Sequence, residues 1–275
     1  MPTPNKTNKV VILARGLGTR MRKLDERAKL DERQASAANA GVKAMIPIGD
    51  RPFVDYLLSS IAAAGFSEVC LVIGPEHEHV RARYEREIIP TRIKIDFAIQ
   101  EQALGTANAV LAAEGFAGDE TFVVLNSDNF YPPESLSALH NLSEPAIVGF
   151  DRDVLVRDGN VPPDRTTRFG ALDIDDAGYL RRIRVSPTDE MLRAGGPIYS
   201  SMNCFLFNRE IFRACREVPV SARGEYELPQ AIHYAIDNGT MRFKVIKIAA
   251  PVLDMSSRGD IAGIVERLRA RPVRL

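Results

Sequence analysis

The sequence predicts an α/β fold: a mostly parallel, Rossmann-like three-layer sheet carrying a β-rich elaboration. Three observations carry that expectation. Short β-branched apolar runs recur through the first 150 residues, segments with helical spacing separate them, and the pattern changes after Phe150. Strands that alternate with helices need crossovers, and crossovers build parallel sheets covered on both faces. A chain of 275 residues, 45% of them hydrophobic, can bury a core of that size.

The elements follow in order. Val10–Leu13 reads as a strand ending in a glycine-rich turn, and Phe53–Ala64 as a helix with Val54, Leu57, Leu58 and Ile61 on one face. Val69–Ile73 is a second strand, Glu76–Glu87 a polar helix, and Ile93–Ile99 a third strand. Ala107–Ala113 reads as helix, Phe122–Leu125 as strand, Pro133–Leu142 as helix and Ala146–Phe150 as strand. Asp151–Thr167, rich in charge, Pro and Gly, reads as a loop. Phe169–Ile174 and Tyr179–Ile183 flank Asp175-Asp176-Ala177-Gly178 and predict a hairpin. Cys204–Phe207 is a strand, Ile211–Glu217 and Leu228–Asn238 are helices, Phe243–Ile248 is a strand, and Asp260–Ala270 is a terminal helix. Lys23-Leu24-Asp25-Glu26-Arg27 repeats at Lys29–Arg33, and Asp25 and Lys29 sit four apart as on a solvated helix. The other reading of this repeat is a mobile lid beside the glycine-rich turn.

Composition excludes several classes. Lys+Arg and Asp+Glu both number 36, so no global basic field attracts nucleic acid or anionic lipid. Cys70, Cys204 and Cys215 form no C-x-x-C pair, which argues against a disulfide framework or thiolate zinc site. Met1–Lys9 is polar, with no apolar signal core, and no run is long enough for a membrane span. The cytoplasm is the expected location.

Four constellations carry chemistry. Leu13-Ala14-Arg15-Gly16-Leu17-Gly18-Thr19-Arg20 follows the first strand. Its glycines let backbone approach a phosphate, and Arg20 offers a fork of donors. It lacks the Lys-Ser/Thr of a P-loop, and Met21 replaces the third glycine of a dinucleotide fingerprint. Lys43, ahead of Ala-Met-Ile-Pro-Ile, places one ammonium before an apolar run. Gln100 precedes Leu104-Gly105-Thr106-Ala107, where an amide can meet a base edge and a helix start favours negative charge. Asp128, beyond an apolar strand, and Asp254, in Pro-Val-Leu-Asp-Met, are hard oxygen donors suited to magnesium. Each alone also suits an ordinary turn or strand end.

Taken together and in this order, they resemble the sugar-1-phosphate nucleotidyltransferase family over roughly residues 9 to 260. The turn ending in Gly-Thr-Arg is similar to that family's signature loop, and Lys43-Ala-Met-Ile-Pro-Ile to its Lys-x-Leu-x-Pro-Val element. Phe169-Gly170 and Gly224-Glu225-Tyr226-Glu227-Leu228 follow in the family order. The resemblance implies that a nucleoside triphosphate and a sugar 1-phosphate condense to an NDP-sugar and pyrophosphate, with Mg2+ as cofactor. It implies catalytic roles for Arg20, Lys43 and Asp128. Leu13, Ala14, Gly16, Gly18, Thr19, Gln100, Gly105 and Thr106 would bind the nucleotide. Gly170, Arg184, Asn203 and Glu225 would bind the sugar phosphate, and Asp128 and Asp254 the metal. Residues 1–275 would form one nucleotidyltransferase domain. Within it, 1–8 would be a flexible N-terminus, 22–40 an inserted charged loop or helix, and 151–223 a β-rich sugar-binding part. Family members are often multimeric, which leaves a homo-oligomer open.

The chain departs from the family pattern at four places. Lys43 follows Arg20 by 23 positions, more than the family's short gap, and the repeat fills the excess. Arg15 stands where a small residue is common, either adding charge near the phosphates or pointing to solvent. Val185-Ser186 replaces the Glu-Lys of a Glu-Lys-Pro element, leaving Arg168, Arg182 and Arg184 as candidate cations for the sugar phosphate. Asn203 falls where the family often has glycine. These changes point to an acceptor other than glucose 1-phosphate, such as a modified sugar or cyclitol phosphate. A nucleotide-sugar-dependent glycosyltransferase and a non-catalytic sensor on the same fold are the alternatives. The first needs neither the Gly-Thr-Arg turn nor Lys43, and the retention of Arg20, Lys43, Asp128 and Asp254 argues against the second.

Overall fold

The computed structural model describes residues 6–275. Nine strands form the main sheet among these residues. They are β1 (Lys9–Leu13), β2 (Glu68–Ile73), β3 (Lys94–Ile99), β4 (Phe122–Asn126), β5 (Ala146–Asp151), β6 (Ala171–Ile174), β7 (Leu180–Arg184), β8 (Tyr199–Phe207) and β9 (Lys244–Ile248). β3, β2, β1 and β4 lie side by side and parallel. β8 then runs antiparallel to β4, β5 and β6, while β9 joins β5 in parallel and β7 closes a hairpin with β6. The expected parallel α/β sheet is present, and the β-rich part extends that same sheet.

The three layers come from strand alternation. Val10 and Ile12 of β1 face one side, with Leu57, Leu58 and Ile61 of helix Phe53–Ala63 and Leu136 and Leu139 of helix Pro133–His140. Val11 faces the other, with Val110 of helix Thr106–Ala112, Phe212 of helix Glu210–Glu217 and Ile232 of helix Leu228–Asp237. Successive strand residues point to opposite faces, so a strand buried on both sides is apolar throughout. A third cluster, with Met21, Ile46, Phe53, Phe130, Met255 and Ile264, sits under helices Glu32–Ala40 and Arg258–Leu268.

Several local expectations are corrected. The Lys23–Asp31 repeat is a loop with one turn rather than a solvated helix, and only Glu32–Ala40 is helical. Asp25 spends its carboxylate on the Arg27 N–H at 3.0 Å instead of pairing with Lys29. Asp31 caps the helix reciprocally with Gln34, so the local N-cap signal outweighs the periodicity of the repeat. Asp151–Thr167 is not simply a loop: Asp151 caps a helix over Arg152–Arg157, and Pro163–Arg168 forms a 3-10 turn. The Glu76–Glu87 helix is split into Glu78–Ala82 and a π turn over Arg83–Glu87. There Tyr84 and Arg83 converge on the buried Asp55, at 2.6 Å each. A short helix, Asp189–Arg193, had no signal in the reading of the sequence. The flexibility expected of residues 1–8 falls partly on 1–5, which lie outside the described residues. Thr7 is buried and bonded, its hydroxyl on Thr121 at 2.6 Å and its carbonyl on His140 at 2.7 Å.

Candidate functional site

The carboxyl ends of β1, β2, β3 and β4 lie along one edge of the sheet, where open α/β folds receive ligands. A cleft of about 250 Å³ opens there. Its wall holds Leu13, Ala14, Gly16, Gly18, Thr19 and Arg20 from the glycine-rich loop, with Lys43, Gln100, Gly105, Thr106, Asp128 and Glu225. The fold thus gathers every residue expected to bind the nucleotide, the three expected catalytic residues, and one of the four expected at the sugar phosphate.

The glycine-rich loop leaves backbone donors that can receive an anion. The N–H groups of Gly16, Leu17 and Gly18 find no acceptor among the described residues. Gly18 is left-handed (φ 58°), and a Cβ there would lie 2.2 Å from the Gly41 carbonyl oxygen. Gly41 is itself left-handed (φ 78°) and ends helix Glu32–Ala40. The inserted segment therefore buttresses the loop from behind. Arg258 ties the two together, donating to the Met21 carbonyl at 2.8 Å and to Asn39 Oδ1 at 2.6 Å. Arg20 is exposed and has no carboxylate partner among the described residues.

Opposite the loop, Lys43 Nζ donates to Asp128 Oδ2 at 2.7 Å. Asp254 is brought close by a two-residue ribbon in which it pairs with Asn129. It lies beneath the cleft wall, 3% exposed. Its Oδ1 accepts from Asn129 Nδ2 at 3.1 Å, and its Oδ2 from Ser256 Oγ at 2.6 Å and Arg165 Nη1 at 3.3 Å. Burial pushes the Asp254 carboxyl above the usual carboxylate range, and the like charge of Asp128 adds to the shift. The Ser256 bond, Lys43 and Arg165 pull it back down. Asn160 fixes the Asp254 backbone at both ends, with bonds of 2.7 and 2.9 Å. None of Arg165, Asn160, Asn129 and Ser256 was foreseen. Asn129 and Ser256 flank the two aspartates in sequence and were open to inspection, whereas Arg165 and Asn160 come from the segment read as a loop.

Elsewhere on the cleft wall, Gln100 Nε2 donates to the Gly105 carbonyl at 3.0 Å and to Asn108 Oδ1 at 2.8 Å. A backbone carbonyl can only accept, so this fixes the amide orientation. Gly105 (φ 109°) admits no side chain, because a Cβ would lie 2.6 Å from the Tyr226 carbonyl oxygen. Thr106 lines the cleft, yet its hydroxyl accepts the Leu228 N–H at 2.8 Å and so caps helix Leu228–Asp237. Arg15 lines the cleft beside the glycine-rich loop and does not point to solvent. Its guanidinium holds the Gln100 carbonyl and both oxygens of Glu76.

The other three residues expected at the sugar phosphate are not on the cleft wall. Gly170 packs on Ile183, where a Cβ would meet Cγ2 at 2.3 Å. Asn203 is left-handed (φ 54°) in a β8 irregularity, and Tyr131 Oη donates to its carbonyl at 3.2 Å. A position that wants positive φ takes glycine or, next best, asparagine. Arg184 turns to Asp173 at 2.7 Å and Arg182 to Asp237, on the outer hairpin, so neither is brought to the cleft. The side chain of Arg168 lies outside those described.

Comparison with known proteins identifies the family. The nucleotidyl transferase family model matches residues 9–251. A glucose-1-phosphate thymidylyltransferase from Streptomyces antibioticus is 30% identical over 241 residues, covering 84% of this chain and 58% of that protein. The chain spans the same 58% of two further relatives. A UTP–glucose-1-phosphate uridylyltransferase from Haloferax volcanii is 27% identical, covering 83% of this chain and 84% of that one. Among solved structures, a UDP-glucose pyrophosphorylase with bound UDP-glucose superposes with a TM-score of 0.69 at 16% identity, over 97% of this chain and 100% of the other, a likeness of fold.

Proposed function

Since the chain belongs to the nucleotidyl transferase family, we propose that its cleft joins a nucleoside triphosphate to a sugar 1-phosphate and releases pyrophosphate. The observation that carries this reading is the Lys43–Asp128 pair at 2.7 Å, facing a glycine loop with unused N–H groups and backed by Asp254. A sugar phosphate has a second pKa near ~6 and is mostly a dianion at neutral pH. One of its oxygens attacks the α-phosphorus; the new P–O bond forms as the bond to the pyrophosphate oxygen breaks, so no general base is needed. The chain's work is to align two anions and answer their charge. Gly16 and Gly18 offer N–H groups to the triphosphate, Arg20 meets the leaving pyrophosphate, and Lys43 turns from Asp128 to the phosphoryl oxygens.

Asp128 and Asp254 suit a divalent cation. Two neighbouring carboxylates disfavour each other's charge, and in this structure Lys43 and Arg165 supply the compensation. No group of three or more His, Cys, Asp and Glu gathers among the described residues. Magnesium tolerates that, because it takes one or two carboxylates and completes its shell with substrate oxygens and water. The chemistry a bound magnesium ion supplies is neutralisation of charge on the phosphoryl group.

Gln100 narrows the base. Its NH2 group is spent on Gly105 and Asn108, leaving Oε1 to accept. The bidentate pairing of glutamine with adenine needs both ends of the amide. A base with a ring N–H on its edge (uracil, thymine or guanine) fits the free acceptor. The relatives named as thymidylyl- and uridylyltransferases make UTP and dTTP the first to try. The acceptor is a sugar or cyclitol 1-phosphate, and Glu225 is the residue expected to bind it that lines the cleft. No helix of the described chain is long and apolar enough to cross a membrane; with three free buried cysteines, the reduced cytoplasm is the setting we propose. The test is pyrophosphate release across nucleoside triphosphates and sugar and cyclitol 1-phosphates. Asp128→Asn is expected to lose at least about 10²-fold in turnover at an unchanged melting temperature. Near-normal turnover by that variant would remove Asp128 from the mechanism.

A further inference from the structure

We infer that Arg15 is a positioning residue for the nucleoside, acting through Gln100, and that the Arg15–Glu76 pair sets how well the cleft discriminates between bases. The inference rests on the nucleotidyltransferase reading and assigns a role to a residue that reading does not use.

Three strand ends meet at this guanidinium. Arg15 leaves β1, Glu76 follows β2 and Gln100 follows β3, and these strands are neighbours in the sheet. Nε and Nη2 each lie 3.3 Å from one Glu76 oxygen, and Nη1 donates to the Gln100 carbonyl. A fork of this kind fixes direction as well as distance. The pair lies against bare backbone: a Cβ on Gly74 would fall 2.4 Å from the Glu76 carboxylate and 2.5 Å from Arg15 Nε. Gln100 is held from the other side by its N–H on the Ile73 carbonyl at 2.9 Å. Its main chain is thus clamped at both polar atoms, while its side-chain NH2 is held by Gly105 and Asn108. Only Oε1 is left to meet a ligand. With Glu76 neutralising it, Arg15 adds little net charge toward the triphosphate, so its effect falls on geometry rather than on phosphate affinity.

A double-mutant cycle reads this directly. Arg15→Ala is expected to raise the KM of the preferred nucleoside triphosphate about tenfold, leave the acceptor KM unchanged, and narrow the gap between preferred and rejected bases. Glu76→Gln should move the same quantities in the same direction. In a Gln100→Ala background, Arg15→Ala should add less than twofold, because the group it positions is gone. Equal losses in both backgrounds, or unchanged base discrimination, would overturn the inference. If the wild-type chain releases no pyrophosphate with any pair, the functional reading fails. Equilibrium titration with UTP, dTTP and ATP through the same cycle then decides the role of Arg15 on its own.

Discussion

Several charged residues in this site are neutralised by a partner, as Lys43 and Asp128 are by each other. Arg165 is the clearest case. One amino group bridges Asp254 at 3.3 Å and Asp260 at 2.9 Å, and all three side chains are at most 15% exposed. Removing it leaves two buried carboxylates with less compensation, and breaking one partner of a buried pair costs several kcal/mol. Arg165→Ala is expected to destabilise the fold by about 3 kcal/mol in urea unfolding. A loss below about 1 kcal/mol would mean that the cluster is already solvated. Gln100, Asp128 and Lys43 stood out in the sequence because each borders an apolar run. Arg165 did not, because nothing in Pro162–Thr167 says which carboxylate it will meet.

At the scale of elements, the glycine loop and the helix behind it form one unit. Gly18 and Gly41 are both left-handed and touch through backbone. A side chain at Gly18 meets a carbonyl oxygen and an unfavourable φ, whereas one at Gly16 meets nothing within 4 Å. Gly18→Ala should therefore weaken UTP binding at least about tenfold, while Gly16→Ala should stay within about twofold. Equilibrium titration separates the two, and equal effects would show that the loop reshapes freely. The glycines were visible in the sequence, but not the brace. The repeat at Lys23–Arg33 suggested a helix, and the structure begins the helix only after the Asp31 cap, because a reciprocal cap defines a start more sharply than a charged periodicity does.

On the scale of the whole molecule, the β-rich half is fastened to the helical layer by polar contacts that titrate. His233 Nε2 accepts the Ile183 N–H at 3.0 Å, tying helix Leu228–Asp237 to β7. Burial, then Arg182, hold the His233 pKa below its ordinary 6.5, with Asp237 opposing. A histidine depressed in the folded state is protonated more readily when unfolded, so stability is unaffected above about pH 6.5 and falls as pH drops below it. The melting temperature should decline below that pH, and His233→Gln, which can still accept the Ile183 N–H, should decline less. Identical profiles for the two proteins would place the acid sensitivity elsewhere, with His77, also lowered by burial, the next group to examine.

The sequence by itself determined the alternation of strands and helices, the order of the site motifs, and the residue types facing the cleft. Those properties are local: apolar periodicity, glycine placement, and carboxylates just past strand ends. Tertiary structure alone decided which charges meet. It put Arg15 on Glu76 and Gln100, Arg165 on Asp254, and Arg184 on Asp173 instead of in the cleft. Residues 61 and 89 positions apart carry no mutual pattern in the chain. Their pairing is set by which strand ends and turns the sheet order brings together, and long-range electrostatics is therefore settled only once the fold has closed.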